Sequence, residues 1–234
     1  MADRSKGMCR FCGKEYTKSG MVKHISSCKY RQAWLEQKGN EKQSGYFSIA
    51  VGGTYCKEYW LLLEVREDAT LADVDEFLRE IWLECCGHLS AFLIDGVYYD
   101  VEPMESWGRL RKTMNCRLRS VLDVGMRFAH EYDFGSTTEL TLTVFDYRVG
   151  DRHKDKIVII ARNNPIRVLC DECGKRPAAV VCIADGEVLC EHCMEEHECG
   201  DMLASLTNSP RSGVCGYEGS EKYPDVLERI TEQK

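Results

Sequence analysis

Cysteine is the residue type that most clearly promises chemistry in this sequence, with 14 copies in 234 residues. Most of them stand near the two ends of the chain. The N-terminus, Met-Ala-Asp-Arg-Ser-Lys, lacks the apolar stretch of a secretory signal, so we expect a cytoplasmic protein with reduced thiols. Reduced cysteines at this density more often bind metal than pair as disulfides.

The N-terminal ligand set has the pattern Cys9-x2-Cys12-x11-His24-x3-Cys28. A C-x2-C pair supplies two thiolates from one tight turn, and a His and a Cys four residues apart on a helix share one face. These four ligands suit tetrahedral zinc. The pattern resembles the zinc fingers that use Cys-Cys-His-Cys ligands. Unpaired thiols on a disordered basic tail are the alternative.

The C-terminal region contains two C-x2-C pairs separated by 16 residues, which is enough for one four-thiolate zinc site. The segment from Cys170 to His197 resembles the B-box zinc domain, notably the plant type, in which two zinc sites interleave. The resemblance implies a first site made of Cys170, Cys173, Cys190 and Cys193. It implies a second site that includes Cys182, Asp185 and His197. The last His of that family is absent at its usual distance, so either Cys199 or Cys215 completes the second site, or this zinc is missing.

These patterns predict two zinc ions and allow a third. A closed tetrahedral site leaves no position for water, so we expect structural zinc and no enzymatic activity. A thiol- or metal-dependent enzyme near Cys85, Cys86 and His88 is the alternative. The simpler expectation is that the cysteines of the middle region pack as small hydrophobic residues, and a metal site joining His88 to Cys85 or Cys86 is a further possibility.

The charge is divided among three parts of the chain. Residues 1–44 hold ten Lys or Arg against four Asp or Glu, residues 45–164 hold 14 against 20, and residues 165–234 hold seven against 14. Residues 1–44 are basic and the rest of the chain is acidic, so we expect any contact with nucleic acid to involve residues 1–44. No apolar run approaches the roughly 18–20 residues that span a bilayer, so we expect no membrane partner.

The middle region of the chain must position the two cysteine-rich ends. Its apolar periodicity and turn residues predict both strands and a helix. Strands are predicted over residues 59–66, 126–132, 140–148 and 156–161, and a hairpin turns at Asp95-Gly96. Thr70 and Asp73 form a capping-box pattern that opens a helix ending near Cys86. Short helices are expected within residues 104–122, and a last helix from Pro224. Together these elements indicate an α+β fold.

Residues 55–150 resemble the plasmid Ri ORF-three-like domain. The resemblance rests on Asp68-Ala-Thr-Leu-Ala-Asp-Val-Asp-Glu-Phe-Leu, on His88-Leu-Ser-Ala-Phe-Leu-Ile-Asp-Gly-Val-Tyr-Tyr, and above all on the Glu-Tyr-Asp-Phe-Gly stretch that ends at Gly135. It implies an α+β fold with a β-grasp-like flavour and no established biochemical activity. The sequence departs from the family after Gly135, where Ser136, Thr137 and Thr138 follow.

We therefore predict three parts: a basic zinc finger and linker over residues 1–44, an α+β domain over 45–164, and a B-box-like zinc domain with a C-terminal tail over 165–234. The predicted function is a non-enzymatic interaction module or adaptor with a protein partner. A regulator that binds nucleic acid through the basic finger is the second hypothesis. The patterns do not address the oligomeric state.

Overall fold

The computed structural model describes residues 5–36, 42–101, 110–199 and 202–230. Most of these residues belong to one mixed sheet of ten strands, a second sheet of three short strands, and a few helices. The architecture is sheet-rich with few helices, and the predicted cysteine clusters lie at both ends. No helix in the described ranges is long and apolar enough to cross a membrane.

The elements follow one another in four groups. The head contains β1 (Lys6–Cys9), β2 (Glu15–Thr17), α1 (Lys18–Ser27) and α2 (Lys29–Glu36). The first half of the central region contains β3 (Gln43–Gly53), β4 (Trp60–Arg66), α3 (Leu71–Leu78) with a π-helical turn over Arg79–Leu83, β5 (Ser90–Ile94) and β6 (Val97–Asp100). Its second half contains β7 (Arg111–Thr113), a 3₁₀ turn (Leu118–Ser120), β8 (Arg127–Tyr132), β9 (Thr138–Asp151) and β10 (Ile157–Asn163). The C-terminal region contains β11 (Val180–Cys182), β12 (Val188–Leu189), a 3₁₀ turn (Cys193–Glu195) and β13 (Leu203–Ser205).

The large sheet has the strand order β2-β1-β10-β4-β3-β9-β8-β5-β6-β7. Its neighbouring strands pair antiparallel except β6 and β7, which pair parallel. The predicted boundary at residue 44 does not interrupt this sheet, because β1 pairs with β10 from Gly7 to Cys9. The head is therefore joined to the central region by backbone hydrogen bonds as well as by the chain.

Strand β4 is buried on both faces, which explains its nearly continuous apolar sequence. Leu61 and Leu63 point into the core that α3 covers. Trp60 and Leu62 point the other way, into a second core that the head covers with Met21 and other apolar residues. The head thus shields a face of the sheet that would otherwise expose large apolar side chains.

The predicted helix and hairpin are confirmed by their local geometry. The Thr70 hydroxyl accepts a hydrogen bond from the Asp73 backbone, and the Asp73 carboxylate accepts one from the Thr70 backbone, so the capping box is complete. The helical segment ends at Leu83, shortly before the predicted end at Cys86. Both turn residues of the hairpin have positive φ, 48° at Asp95 and 78° at Gly96, as a type I′ turn requires.

Three expectations for the central and C-terminal elements were wrong in whole or in part. The long strand β3 begins at Gln43, inside residues 1–44 that we predicted as a zinc finger and linker; residues 37–41 lie outside the described ranges. Of the short helices expected within residues 104–122, the described part contains one 3₁₀ helix, Leu118–Ser120, and otherwise the strand β7; residues 102–109 are not described. Residues 224–230 are not helical.

Residues 206–230 form what we call the strap, a segment that returns across the central region to the head. Its Asn208 carbonyl accepts a hydrogen bond from the Trp82 indole over 3.0 Å, and Tyr217 donates one to the Ile81 carbonyl over 3.3 Å. At the far end, the backbone N–H of Ile230 donates to the carbonyl of Arg10 over 2.8 Å. The C-terminal end of the described chain therefore contacts the head.

Candidate metal centres

The first predicted ligand set converges in the head. The ligand atoms of Cys9, Cys12, His24 and Cys28 all lie within 4.8 Å of one another. The Sγ atoms of Cys9 and Cys28 are 4.0 Å apart, and the Cys12 Sγ lies 3.3 Å from the His24 Nε2. Ligands of one tetrahedral zinc are separated by about 3.5–3.8 Å when Zn–S is about 2.3 Å and Zn–N about 2.0 Å. The group has the size that zinc requires.

Local packing fixes the ligands of this first centre. Cys9 ends β1 and Cys28 follows α1 directly, while His24 lies in the last turn of that helix. The Tyr16 ring stacks on the His24 ring with centroids 4.4 Å apart, which limits the rotation of the imidazole. Burial raises the pKa of the Cys9 thiol to about 12, and a cation beside the sulfur reverses this preference.

The second predicted set, Cys170, Cys173, Cys190 and Cys193, also converges within 4.8 Å. Three of these cysteines are buried, and they form a small core with Leu189. The backbone N–H of Cys173 lowers the pKa of Cys170, and the backbone N–H of Cys193 lowers the pKa of Cys190. Amide dipoles directed at sulfur favour the thiolate form, which is the form that binds metal.

The third group contains Cys182, His197 and Cys199, again within 4.8 Å. Asp185 groups instead with Glu187 and His197. Its carboxylate lies 3.2 Å from the His197 Nε2, which makes it the nearest candidate for a fourth ligand. Between the two residues left open by the sequence, the structure places Cys199 in this group and Cys215 elsewhere. Along the chain, the ligands of the second and third groups alternate in pairs, which is the interleaved order that the B-box resemblance implies.

One turn recurs in all three groups. Cys9, Cys170 and Cys182 each accept a hydrogen bond on their carbonyl from the backbone N–H of a glycine four residues later, over 2.8 Å. These glycines have φ of 72°, 60° and 83°, a conformation that side chains other than glycine disfavour. The residue before each glycine is the second ligand: Cys12, Cys173 and Asp185. Asp185 therefore occupies the position of a knuckle cysteine, which supports its role in the third group.

A fourth group contains the residues of the metal site that the sequence left as a further possibility, and it adds Cys215, which we had considered for the C-terminal module. Cys85, Cys86, His88 and Cys215 bring their ligand atoms within 4.8 Å of one another. Cys85 does pack against the central core, as does Cys116, but Cys86 is exposed, so the expectation that it packs in the interior was wrong. The sequence signal was present as Cys-Cys-Gly-His together with a cysteine left over at the C-terminal end, and the fold was needed to join them.

The basic residues of the head divide into two classes. Lys14, Lys23 and Lys29 are exposed. Arg31 is buried and donates to the buried carboxylate of Glu64 in β4. Part of the positive charge of the head is therefore used to hold it against the sheet.

Comparisons with known proteins leave the family of this chain open. No family model matches the chain, and no curated protein matches it. Five chains among the solved structures match. One is a protein of unknown function from Methanosarcina mazei Go1, with 13% sequence identity, a TM-score of 0.47, and coverage of 53% of this chain and 72% of that chain. The resemblance to the plasmid Ri ORF-three-like domain stays a prediction.

Proposed function

We propose that this chain is a non-enzymatic zinc-binding protein that acts as an interaction module or adaptor. In this proposal, zinc folds the two ends of the chain and the central sheet carries them. The observation that supports it most strongly is the convergence of three separate Cys/His groups, one in the head and two in the C-terminal region. Each could hold a metal ion, and zinc is the ion that prefers four thiolate and imidazole ligands in a tetrahedron.

A structural role for these ions follows from the ligand count. Catalytic zinc keeps one coordination position for water or substrate, whereas structural zinc has four protein ligands. The first and second groups each supply four Cys or His ligands. We propose that Asp185, which lies beside His197, is the fourth ligand of the third group. Cys9 and Cys170 are 0% and 1% exposed, so water has little access to their sulfur atoms.

The C-terminal module needs metal because its other interactions are few. Its sheet consists of three strands of two or three residues. Apart from four cysteines, its buried apolar side chains are Leu189, Val181 and Ala204. Such a core is too small to offset the conformational entropy of the ordered chain. We propose that bound zinc supplies most of its folding free energy, as in other small metal domains.

An acidic surface on this module indicates the kind of partner. Five glutamates are exposed on or beside the ligand loops: Glu187, Glu191, Glu195, Glu196 and Glu198. A dense negative surface repels nucleic acid and attracts a basic protein surface. We propose a protein partner of complementary positive charge for this end of the chain.

A nucleic-acid-associated regulator is the second candidate function. It is favoured by the exposed Lys14, Lys23 and Lys29 on the head, which can contact phosphate. This candidate predicts binding of DNA or RNA that weakens steeply with salt and is lost in Cys12→Ala. Binding that is absent at low ionic strength, or unaffected by salt, would exclude it.

We also propose a domain organisation and a cellular location for this chain. The central region is proposed to be an α+β domain with a β-grasp-like arrangement, flanked by zinc modules over residues 1–44 and 165–234. The exposed and half-buried free thiols of the central region are consistent with a reducing, cytoplasmic location.

Metal analysis of the purified full-length chain tests the proposal. Protein prepared without chelators is expected to contain at least three zinc ions per chain, measured by mass spectrometry of the metal and by native protein mass. The variant Cys193→Ser should lose zinc, while Cys56→Ser should not, because Cys56 belongs to none of the groups that could hold a metal ion. Less than one zinc per chain in the wild-type protein would contradict the proposal.

A further inference from the structure

The fourth group joins two segments that are far apart in the sequence. Cys85, Cys86 and His88 follow the π-helical turn after α3, whereas Cys215 belongs to the strap. The contact between His88 and Cys215 spans 127 positions of the chain. Side chains of a metal-ligating type have therefore been brought together by the fold, at the place where the strap crosses the central region.

The distances within this group match a shared tetrahedral cation. The Cys86 Sγ lies 3.7 Å from the Cys85 Sγ and 3.8 Å from the Cys215 Sγ. The His88 Nε2 lies 3.1 Å from the Cys86 Sγ and 3.4 Å from the Cys215 Sγ. Tetrahedral zinc with three thiolates and one imidazole separates these atoms by about 3.5–3.8 Å, whereas a disulfide requires an S–S separation of about 2.05 Å.

The backbone on both sides is shaped to present these ligands. Gly87 has a φ of 78°, which turns the chain between Cys86 and His88. Cys215 itself has a φ of 52°, in the left-handed region that residues other than glycine seldom adopt. Backbone strain of this kind persists where the surrounding structure requires it and clusters at functional sites.

The surroundings of the group suit a site with three negative thiolates. The guanidinium of Arg211, a strap residue that is 0% exposed, donates to the Cys85 Sγ over 3.4 Å and to the Asp133 carboxylate over 2.8 Å. Three thiolates and one Zn²⁺ leave a net charge of −1, and this guanidinium, which Asp133 shares, places a positive charge beside the Cys85 sulfur. The Tyr132 hydroxyl accepts a hydrogen bond from the backbone N–H of His88 over 3.3 Å and thereby supports the ligand loop.

We propose that Cys85, Cys86, His88 and Cys215 form a further zinc site that fastens the strap to the central sheet. The inference rests on the proposed zinc-binding function for the choice of metal, and on its own geometry for the site. Zinc is the cation that three thiolates and one imidazole in a tetrahedron select. The chain then holds four zinc ions, three in the terminal modules and one that bridges the strap to the central region.

This fourth zinc is the one that a chelator reaches first. Cys86 and Cys215 are exposed thiols, whereas the Cys and His ligands of the other three groups are buried or half-buried. We therefore expect one equivalent of zinc to be released to a chromogenic chelator before the others. The variant Cys215→Ser lacks this early phase.

The deciding experiment compares Cys215→Ser with Cys56→Ser in the full-length chain. Zinc per chain is measured by native mass spectrometry after purification under reducing conditions. We expect four zinc ions in the wild-type protein and in Cys56→Ser, and three in Cys215→Ser. Because Cys215 is exposed, its serine variant should fold, and circular dichroism checks this.

The possible outcomes separate this inference from the proposed function. Zinc bound in equal amounts by Cys215→Ser and Cys56→Ser would overturn the fourth site while leaving the zinc modules intact. A Cys86–Cys215 disulfide in the protein purified under reducing conditions would overturn it as well. A wild-type chain without zinc would overturn the proposed function itself. As a second variant, Cys86→Ser should lose the same single equivalent as Cys215→Ser.

Discussion

Single residues decide how the head attaches to the central sheet. Glu64 is buried in β4 and accepts hydrogen bonds from Arg31 of the head and Arg148 of β9. A buried carboxylate shared by two arginines costs little while the set is complete. Removing one member leaves buried charge without a partner, which is strongly unfavourable.

The variant Glu64→Gln should therefore lower the free energy of unfolding by about 3–5 kcal/mol, because it leaves the charges of two arginines without their carboxylate partner. Denaturant unfolding of the zinc-loaded protein measures this change. Glu80→Gln is the matched control, because Glu80 pairs with Lys222 on the surface and should lose less than about 1 kcal/mol. Equal losses in the two variants would contradict a role for Glu64 in docking.

The same carboxylate predicts a dependence on pH. Burial opposes the ionisation of Glu64, but the hydrogen bonds and charges of Arg148 and Arg31 outweigh it and hold its pKa below the ordinary value. Its contribution to stability is thus complete above the pKa of an unfolded glutamate, about 4.3. It is lost as the pH falls through the lower folded value. The stability gap between wild type and Glu64→Gln should narrow over this acid range, and a constant gap would exclude this explanation.

Asp185 is the one proposed zinc ligand that is neither cysteine nor histidine. It occupies the position that Cys12 and Cys173 hold in the other two recurring turns. The variant Asp185→Cys should keep the zinc count and bind the third zinc more tightly, because thiolate suits zinc better than a carboxylate in a closed site. Asp185→Ala should weaken it. Competition with a chelator measures both, and indistinguishable affinities would remove Asp185 from the ligand set.

At the scale of elements, the recurring glycine turn positions the two ligands of each pair. Gly174 has a φ of 60°, and a Cβ added there would meet no atom within 4 Å, so alanine would test backbone conformation alone. Gly174→Ala should cost about 1–2 kcal/mol, equivalent to a 5–30-fold loss of zinc affinity at the second centre. Gly135→Ala, at a residue without positive φ, is the control and should leave zinc affinity unchanged.

Elements with local signals were predictable from the sequence, whereas those defined by distant partners were not. The capping box at Thr70 and the hairpin at Asp95-Gly96 depend on neighbouring residues only, and both are confirmed. Strand β3 was missed because it carries three glycines, which disfavour strands, and is defined by pairing with β4 and β9. For the same reason the sequence could group Cys170 with Cys193 by spacing, but could not bring Cys215 to His88.

At the scale of the whole molecule, the two ends of the chain depend on each other. The head covers one face of the sheet, and the strap returns to the head, where Arg229 donates to the Phe11 carbonyl over 3.1 Å. Residues beyond the C-terminal zinc module are thus held between the central sheet and the first centre. Zinc bound in the head or in the C-terminal module therefore stabilises the contact between the strap and the head.

Removal of zinc should therefore release the strap before the central sheet unfolds. Limited proteolysis after chelation is expected to cut within residues 206–230 faster than in the zinc-loaded protein, while β3, β4 and α3 stay protected. Reloading the stripped protein with zinc should restore resistance. Cleavage at the same rate with and without metal would show that the strap is held by its other contacts alone.

The coordination of the bound zinc tests the central claim most directly. X-ray absorption at the zinc edge, on the purified full-length chain, measures the average ligand set of all sites together. Four closed centres with the ligands described above predict about three sulfur atoms per zinc at about 2.3 Å and one nitrogen or oxygen at about 2.0 Å. A set dominated by oxygen and nitrogen, or a coordination number above four, would contradict structural zinc held by these cysteines.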